Sequence, residues 1–303
     1  MRATTPGSSS QTAVIRASYG ARGIAELGDG AHCECHYQRS VGRPLCGDVV
    51  ELQTQEDSNL VVSAIVPRRN IFVRADRQQR QQAVASNLDQ VVIVISPQPS
   101  PSKDLVERYL VAVHSLGIKP VLLVNKAELF SARDRSSLAP FNHMPAYREL
   151  GYTVVEASCT GPPGVDRLRE QLHGTTTILV GQSGVGKSSL ANCLIPDLEL
   201  QTGSLSRTTG KGTHTTTTTI MYSMPCGGRL IDSPGVWEYG LWTLTTDELA
   251  AGFAEIAPLH QTCRFGDCRH RDEPGCAVQA AVSAGQILPW RYESYRRLLD
   301  QST

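Results

Sequence analysis

The apolar positions of this chain change rhythm twice along its length. Over residues 12–74 they come as short runs broken by Gly and polar turns, such as Gly23-Ile24-Ala25-Glu26-Leu27, Gly47-Asp48-Val49-Val50-Glu51-Leu52 and Leu60-Val61-Val62-Ser63-Ala64-Ile65-Val66. Short, evenly spaced strands of this kind predict a small β-barrel. From residue 87 apolar runs alternate with helical periodicity. Val91-Val92-Ile93-Val94-Ile95 and Val121-Leu122-Leu123-Val124 have the length of buried parallel strands. A helix from near Ser102 carries Leu105, Tyr109, Val113 and Leu116 on one face. Further strands are predicted at 153–157, 177–180, 218–223 and 229–231, with helices near 164–173 and after Gly186. Such alternation predicts a parallel α/β sheet covered on both faces. After residue 242, Thr245-Thr246-Asp247-Glu248 has the form of a capping box, and Leu249, Phe253 and Ile256 supply one helical face. A last helix is expected around Trp290 to Leu299.

The chain therefore divides into a flexible tail (1–11), a barrel (12–75), an Arg- and Gln-rich linker (76–86), an α/β domain (87–241) and a helical domain (242–303). Composition alters this picture little. Hydrophobic residues make up 40%, charged residues 19%, and the formal net charge is zero, as expected of a globular chain with no run long enough to span a membrane. Neutrality means that any nucleic-acid contact must come from local patches. Nine cysteines without a secretory signal point to reduced thiols or a metal site in the cytoplasm.

Candidate chemistry changes the picture more. Gly181-Gln182-Ser183-Gly184-Val185-Gly186-Lys187-Ser188, followed by Ser189, reads as a P-loop between a strand and a helix. Its glycines let the backbone wrap phosphate at a helix N-terminus. Lys187 would reach the β- and γ-phosphates, and Ser188 would ligate Mg²⁺. Asp232-Ser233-Pro234-Gly235 follows about fifty residues later; Asp232 would hold Mg²⁺ through water and the Gly235 amide would sense the γ-phosphate. Asn125-Lys126-Ala127-Glu128 reads as a guanine clamp. There the Glu128 carboxylate accepts from N1–H and the 2-amino group, Lys126 packs along the base and Asn125 braces the P-loop. Ala157-Ser158-Cys159 would offer amides to the guanine oxygen.

The clamp precedes the P-loop, the reverse of an ordinary GTPase, so the domain reads as circularly permuted. Between P-loop and Asp232 lies Gly212-Thr213-His214-Thr215-Thr216-Thr217, where switch I belongs. Thr216 or Thr217 would cap Mg²⁺, and we assign Thr216 to the catalytic and magnesium set. Val236 stands where many GTPases place a water-orienting Gln, which leaves His214 as the nearest candidate for that role.

Cys263, Cys268, His270 and Cys276 form a Cys₃His set within fourteen residues, suited to one closed, structural zinc. Cys33, Cys35 and Cys46 raise a second metal site, though alternate strand positions explain the first pair equally well. Arg68-Arg69-Asn70-Ile71-Phe72-Val73-Arg74, with Arg77 and Arg80, is either a solvated linker or a phosphate track with Phe72 stacked on a base.

With these residues in hand, the chain resembles the small-ribosomal-subunit biogenesis GTPase family RsgA, also called YjeQ. The resemblance covers nearly all of the sequence from about Ala17. It rests on the motif order, the Gly-x-His-Thr-Thr-Thr switch and the Cys/His cluster. It also rests on flanking runs at Gly47-Asp48, Arg68-Arg69-Asn70, Asn87-x-Asp89-Gln90, Phe253-x-Glu255 and Arg291-Tyr292-x-Ser294-Tyr295. Glu128 stands where that family has Asp. The resemblance implies an OB-fold, a permuted GTPase domain and a zinc domain. It further implies binding to the small ribosomal subunit and its rRNA during late maturation, ribosome-stimulated GTP hydrolysis, and a catalytic role for the histidine matching His214. We expect a cytoplasmic monomer without membrane attachment. The competing expectation is an RNA-binding assembly factor or translation regulator that uses GTP as a switch ligand with little turnover.

Overall fold

Five strands of the N-terminal region close on themselves: β1 (Gln11–Tyr19), β2 (Arg22–Leu27), β3 (His32–Tyr37), β4 (Val49–Thr54) and β5 (Leu60–Ile65). β1 pairs with both β2 and β4, and β3 with β5, so the order is β1-β2-β3-β5-β4 and back to β1. This is the OB-fold barrel, filled by Ile15, Ala25, Cys35, Val50, Leu52 and Val62. The computed structural model describes residues 10–55, 59–75, 80–130, 138–196, 198, 219–233 and 244–301.

The expected linker is in part a strand. β6 (Ile71–Ala75) and β7 (Gln81–Ser86) form an antiparallel hairpin, with Phe72, Val84 and Ala85 buried against the α/β core. The apolar positions of β7 sit only at its C-terminal end, so its polar first half hides the pattern. Phe72 is fully buried and cannot stack on a base. Arg68 and Arg69 do not form a phosphate track either. Arg68 donates twice to Asp48, at 2.7 Å each, and Arg69 donates to Asp89 at 2.9 Å and to the Asn87 carbonyl at 2.8 Å. Asp48 is fully buried and also accepts from Ser86 Oγ and the Leu45 amide. At Gly47, φ is +95°, and a Cβ would strike the Ser86 carbonyl. Three of the flanking runs noted in the sequence, at Gly47-Asp48, Arg68-Arg69-Asn70 and Asn87-x-Asp89, thus form one clasp between barrel, hairpin and α/β domain. Asp48→Ala is expected to destabilise the protein by about 3 kcal/mol, the low end for breaking a buried pair because Arg68 is partly exposed. Chemical denaturation of the full chain would measure it, and an unchanged midpoint would refute the clasp.

The α/β domain runs β8 (Gln90–Ile95), α1 (Leu105–Ser115), β9 (Lys119–Val124), α2 (Met144–Glu149), β10 (Thr153–Glu156), α3 (Asp166–Leu172), β11 (Thr176–Val180), α4 (Lys187–Leu194), β12 (Ile220–Ser223) and β13 (Arg229–Asp232). The sheet order is β10-β9-β8-β11-β13-β12, all parallel except β12. Every residue of β8 is buried, which is why the run reads as continuously apolar. β12 also pairs with β1 at Ile220 and Ala17, joining barrel and α/β sheet into eleven strands. Beside that join, Arg16 of the barrel, 1% exposed, donates to Glu26 at 2.6 Å and to Ser223 at 3.0 Å, while Arg229 donates to Glu26 at 2.8 Å.

The C-terminal region holds α5 (Thr246–Ala251), α6 (Ala257–His260), α7 (Ala277–Ser283) and α8 (Pro289–Gln301). The capping box at Thr245 and Glu248 is formed. The single helix expected through Ile256 instead ends at Gly252. A Cβ there would meet Val111 at 2.6 Å, so the chain turns where it presses on α1. Leu249, Phe253 and Ile256 are all buried nonetheless. α8 is held to α1 by polar anchors. Arg291 is 1% exposed and paired with Glu255 and Glu107, and Asp104 accepts from Arg297 and Ser294 at 2.7–2.8 Å. Among the described residues no helix is long and apolar enough to cross a membrane.

Candidate functional site

Three of the sequence motifs emerge from the same end of the sheet. Asn125 follows β9, Gly181 follows β11, and Asp232 closes β13. These are carboxyl ends of parallel strands, where open α/β sheets bind ligands. The P-loop takes its shape from glycine. Gly181, Gly184 and Gly186 have φ of +147°, +81° and +97°, and a Cβ on Gly186 would sit 2.5 Å from Asn125 Nδ2. The loop carries its amides into the start of α4, with Gly186 as N-cap. Lys187 Nζ folds back onto the carbonyls of Gly181, at 2.7 Å, and Gln182, at 3.1 Å. Ser183, Ser188 and Ser189 are exposed, while Val185 is buried beneath the loop.

The clamp and the P-loop touch directly across sixty residues of sequence. Asn125, 2% exposed, donates from Nδ2 to the Val185 carbonyl at 2.8 Å. Its buried Oδ1 has no hydrogen-bond partner among the described residues. Lys126 adopts φ +56°, and its Nζ reaches the Gly184 carbonyl at 2.7 Å and that of Gln98 at 2.6 Å. Glu128 lies on the single turn Ala127–Leu129 and accepts from Thr160 Oγ1 at 3.0 Å. Partial burial pushes its carboxyl up, but hydrogen bonds led by Ser158, with Thr160 and the nearby Lys126, outweigh this and hold its pKa below the usual range. It is therefore ionised at neutral pH, as acceptance of two donors from a base edge requires.

The loop after β10 narrows the amide assignment. The Ala157 amide donates to Val124 and the Ser158 amide to Gly164. Ser158 Oγ accepts from the Thr160 and Gly161 amides. Of the three amides proposed from sequence, only that of Cys159 has no acceptor among the described residues. Two contributors escaped the sequence reading. Thr160 holds Glu128, and the Pro-rich segment after β8 lines the P-loop, with Gln182 donating to the Pro99 and Ser100 carbonyls. The run Pro97-Gln98-Pro99-Ser100-Pro101 was the available signal.

Asp232 ends β13 with its tip open to solvent. Crowding by the chain raises its pKa, opposed by Lys187. His214, Thr216, Thr217, Gly235 and Val236 lie outside the described residues.

The four donors of the Cys₃His set converge. Their ligand atoms all lie within 4.8 Å of one another. Cys263 Sγ is 4.0 Å from Cys276 Sγ, and His270 Nδ1 is 3.5 Å from Cys263 Sγ and 3.3 Å from Cys276 Sγ. Bond lengths of about 2.3 Å for Zn–S and 2.0–2.1 Å for Zn–N imply tetrahedral edges of about 3.8 Å and about 3.5 Å. The cluster therefore fits a tetrahedral ion with no open position. His270 is fully buried, and desolvation, assisted by His260, pushes its pKa down to about 4, which keeps the imidazole neutral as a ligand must be. The other thiols have different partners. Cys33, Cys35 and Cys46 each donate to a backbone carbonyl, and the described residues contain no second cluster of metal-ligand type.

The sequence model of the RsgA GTPase family matches residues 65–242. Small ribosomal subunit biogenesis GTPase RsgA of Pseudomonas aeruginosa is 42% identical over 289 residues, which cover 95% of this chain and 85% of that protein. The chain belongs to the RsgA GTPase family. The RsgA protein of Chromohalobacter salexigens is 44% identical over 280 residues, covering 92% and 81% of the two chains. Among solved structures, YjeQ from Thermotoga maritima superposes with a TM-score of 0.76 at 26% identity, covering 97% of this chain and 99% of that one. YloQ, described as a circularly permuted GTPase, gives 0.75 at 26% identity, covering 97% and 95%. As an RsgA family member the chain is a GTP hydrolase, and the reversed order of clamp and P-loop is the permutation seen in its structural neighbour.

Proposed function

We propose that this GTPase binds the small ribosomal subunit and its rRNA late in maturation, hydrolyses GTP there, and leaves as the GDP form. The reading is supported by the relatives named for that role, and above all by the direct bond from Asn125 to Val185, which makes clamp and P-loop one pocket. In this pocket the P-loop amides from Gly181 to Ser189 cradle phosphate, Lys187 neutralises the transferred group, and Ser188, Asp232 and Thr216 would hold Mg²⁺, which when bound would supply further charge neutralisation. Glu128 and the Cys159 amide select guanine, while Lys126 packs along the base. Gly235 senses the γ-phosphate, and His214 orients the attacking water. Zinc at Cys263, Cys268, His270 and Cys276 is structural. The protein works as a cytoplasmic monomer.

GTP turnover with and without purified small ribosomal subunits tests the proposal. Slow turnover alone and a clear rise with subunits are expected, together with preference for GTP over ATP. Equal affinity for the two nucleotides would end the guanine reading. Absence of stimulation would favour a nucleotide-switched RNA-binding factor instead. His214→Ala should spare GTP affinity and remove most of the stimulated rate in single-turnover assays. If stimulation survives in that variant, backbone or ribosomal groups position the water.

A further inference from the structure

His270 presents one ring nitrogen to the Cys₃His cluster and the other to a second histidine. His270 Nε2 lies 2.7 Å from His260 Nδ1, and His260 Nε2 lies 3.1 Å from Asp247 Oδ1. His260 closes α6, and Asp247 sits in the first turn of α5, between the two residues of its capping box. The line of contacts therefore runs from the cluster through α6 to the start of α5.

We propose that His260 is a positioning residue for the metal centre. It accepts the Nε2 proton of His270, fixing the tautomer that offers Nδ1 to zinc, and itself donates from Nε2 to Asp247. The proposal rests on the zinc reading of the cluster.

The proton count leaves one consistent arrangement. A ligand imidazole bound through Nδ1 carries its proton on Nε2 and can only donate there. His260 must then accept at Nδ1, so its single proton is on Nε2, facing the carboxylate. Metal-bound histidines are commonly held in this way by an outer partner, whose removal costs on the order of 10–100-fold in metal affinity. Here the outer partner is a histidine with only 13% of its side chain exposed, so water replaces it poorly. The His270 backbone has φ +58°, an uncommon conformation for a residue with a side chain, so the ring is aimed from a bend and not from a regular element. The same contacts give the closed site a reach beyond its own loop, since Asp247 belongs to the first described helix after Gly235 in the sequence.

The test is zinc competition against a chromophoric chelator on the full-length protein, comparing wild type with His260→Phe and His260→Asn. The Phe variant keeps a ring but has no acceptor, and zinc should be withdrawn from it on the order of 10–100-fold more readily. The Asn variant places an amide oxygen near the Nδ1 position and should stay close to wild type. Nitrogen-resolved NMR of the zinc-loaded wild type should show His270 protonated at Nε2 and His260 protonated at Nε2. Equal losses in both variants would assign the effect to packing and overturn the proposal, as would a His260→Phe protein that holds zinc as tightly as wild type. His260 protonated at Nδ1 in the zinc-loaded wild type would also overturn it, however well the variants fold. A wild type that takes up no zinc overturns the zinc reading as well. A zinc-holding wild type with indifferent variants overturns this proposal alone.

Discussion

Lys187→Ala lowers single-turnover GTP hydrolysis by on the order of 10²–10³-fold and weakens nucleotide binding as well. The size follows from removing one preorganised positive group aimed at the charge that develops on phosphate. In the structure the ammonium already arches over the P-loop, bonded to the Gly181 and Gln182 carbonyls. It is held by weak acceptors at the place where phosphate oxygens would accept more strongly. Lys187→Arg should recover little, because a planar fork cannot reproduce a point charge inside a loop this tight. Fluorescent-nucleotide binding and single-turnover hydrolysis measure the two effects separately. A variant that hydrolyses GTP at the wild-type rate would remove Lys187 from the phosphate site.

Cys268→Ser should strip the chain of its zinc and loosen the segment around the cluster. Cys268 is 2% exposed, and a hydroxyl in its place does not ligate zinc comparably. The damage should be local. α8 remains anchored to α1 through Arg291 and Arg297, and α5 stays packed through buried Leu249 and Ala250, with buried Phe253 just beyond its end. Limited proteolysis should therefore open residues 261–276 while α8 stays with the core, and GTP affinity should hold. Metal analysis with protease mapping decides this. Full zinc content in the variant would refute Cys268 as a ligand, and loss of GTP binding would refute the separation of the two sites.

Legibility in the sequence followed the range of the contacts. The P-loop could be read because its glycines and the strand and helix beside it are contiguous, and the metal set because four ligands fall in one short loop. The barrel and the buried run of β8 showed in their periodicity. What escaped depends on partners far away in sequence. Arg68 looked like a nucleic-acid contact because nothing local reveals Asp48, twenty residues upstream. The hairpin strand β7 hid behind a polar first half. α5 ends at Gly252, where a side chain would strike Val111 of α1, a constraint set across the fold. Thr160 and the Pro-rich segment join the pocket only once β8, β9, β10 and β11 lie side by side. His260 was passed over because a lone histidine gains its meaning from His270 and Asp247 together.

The pairing of Ala17 with Ile220 bears on how much of this protein can stand alone. An α/β unit excised from the chain would expose the outer edge of β12, a row of unpaired backbone groups inviting another copy to dock. It would also leave Arg229 without Glu26. The barrel thus serves as a protective cap on a sticky flank, and β12 is the strand that follows the Thr-rich segment. Solubility of the excised unit should fall for this reason before its chemistry is lost. Whatever grips the barrel holds, through that same strand, one end of the Thr-rich stretch that we propose as switch I.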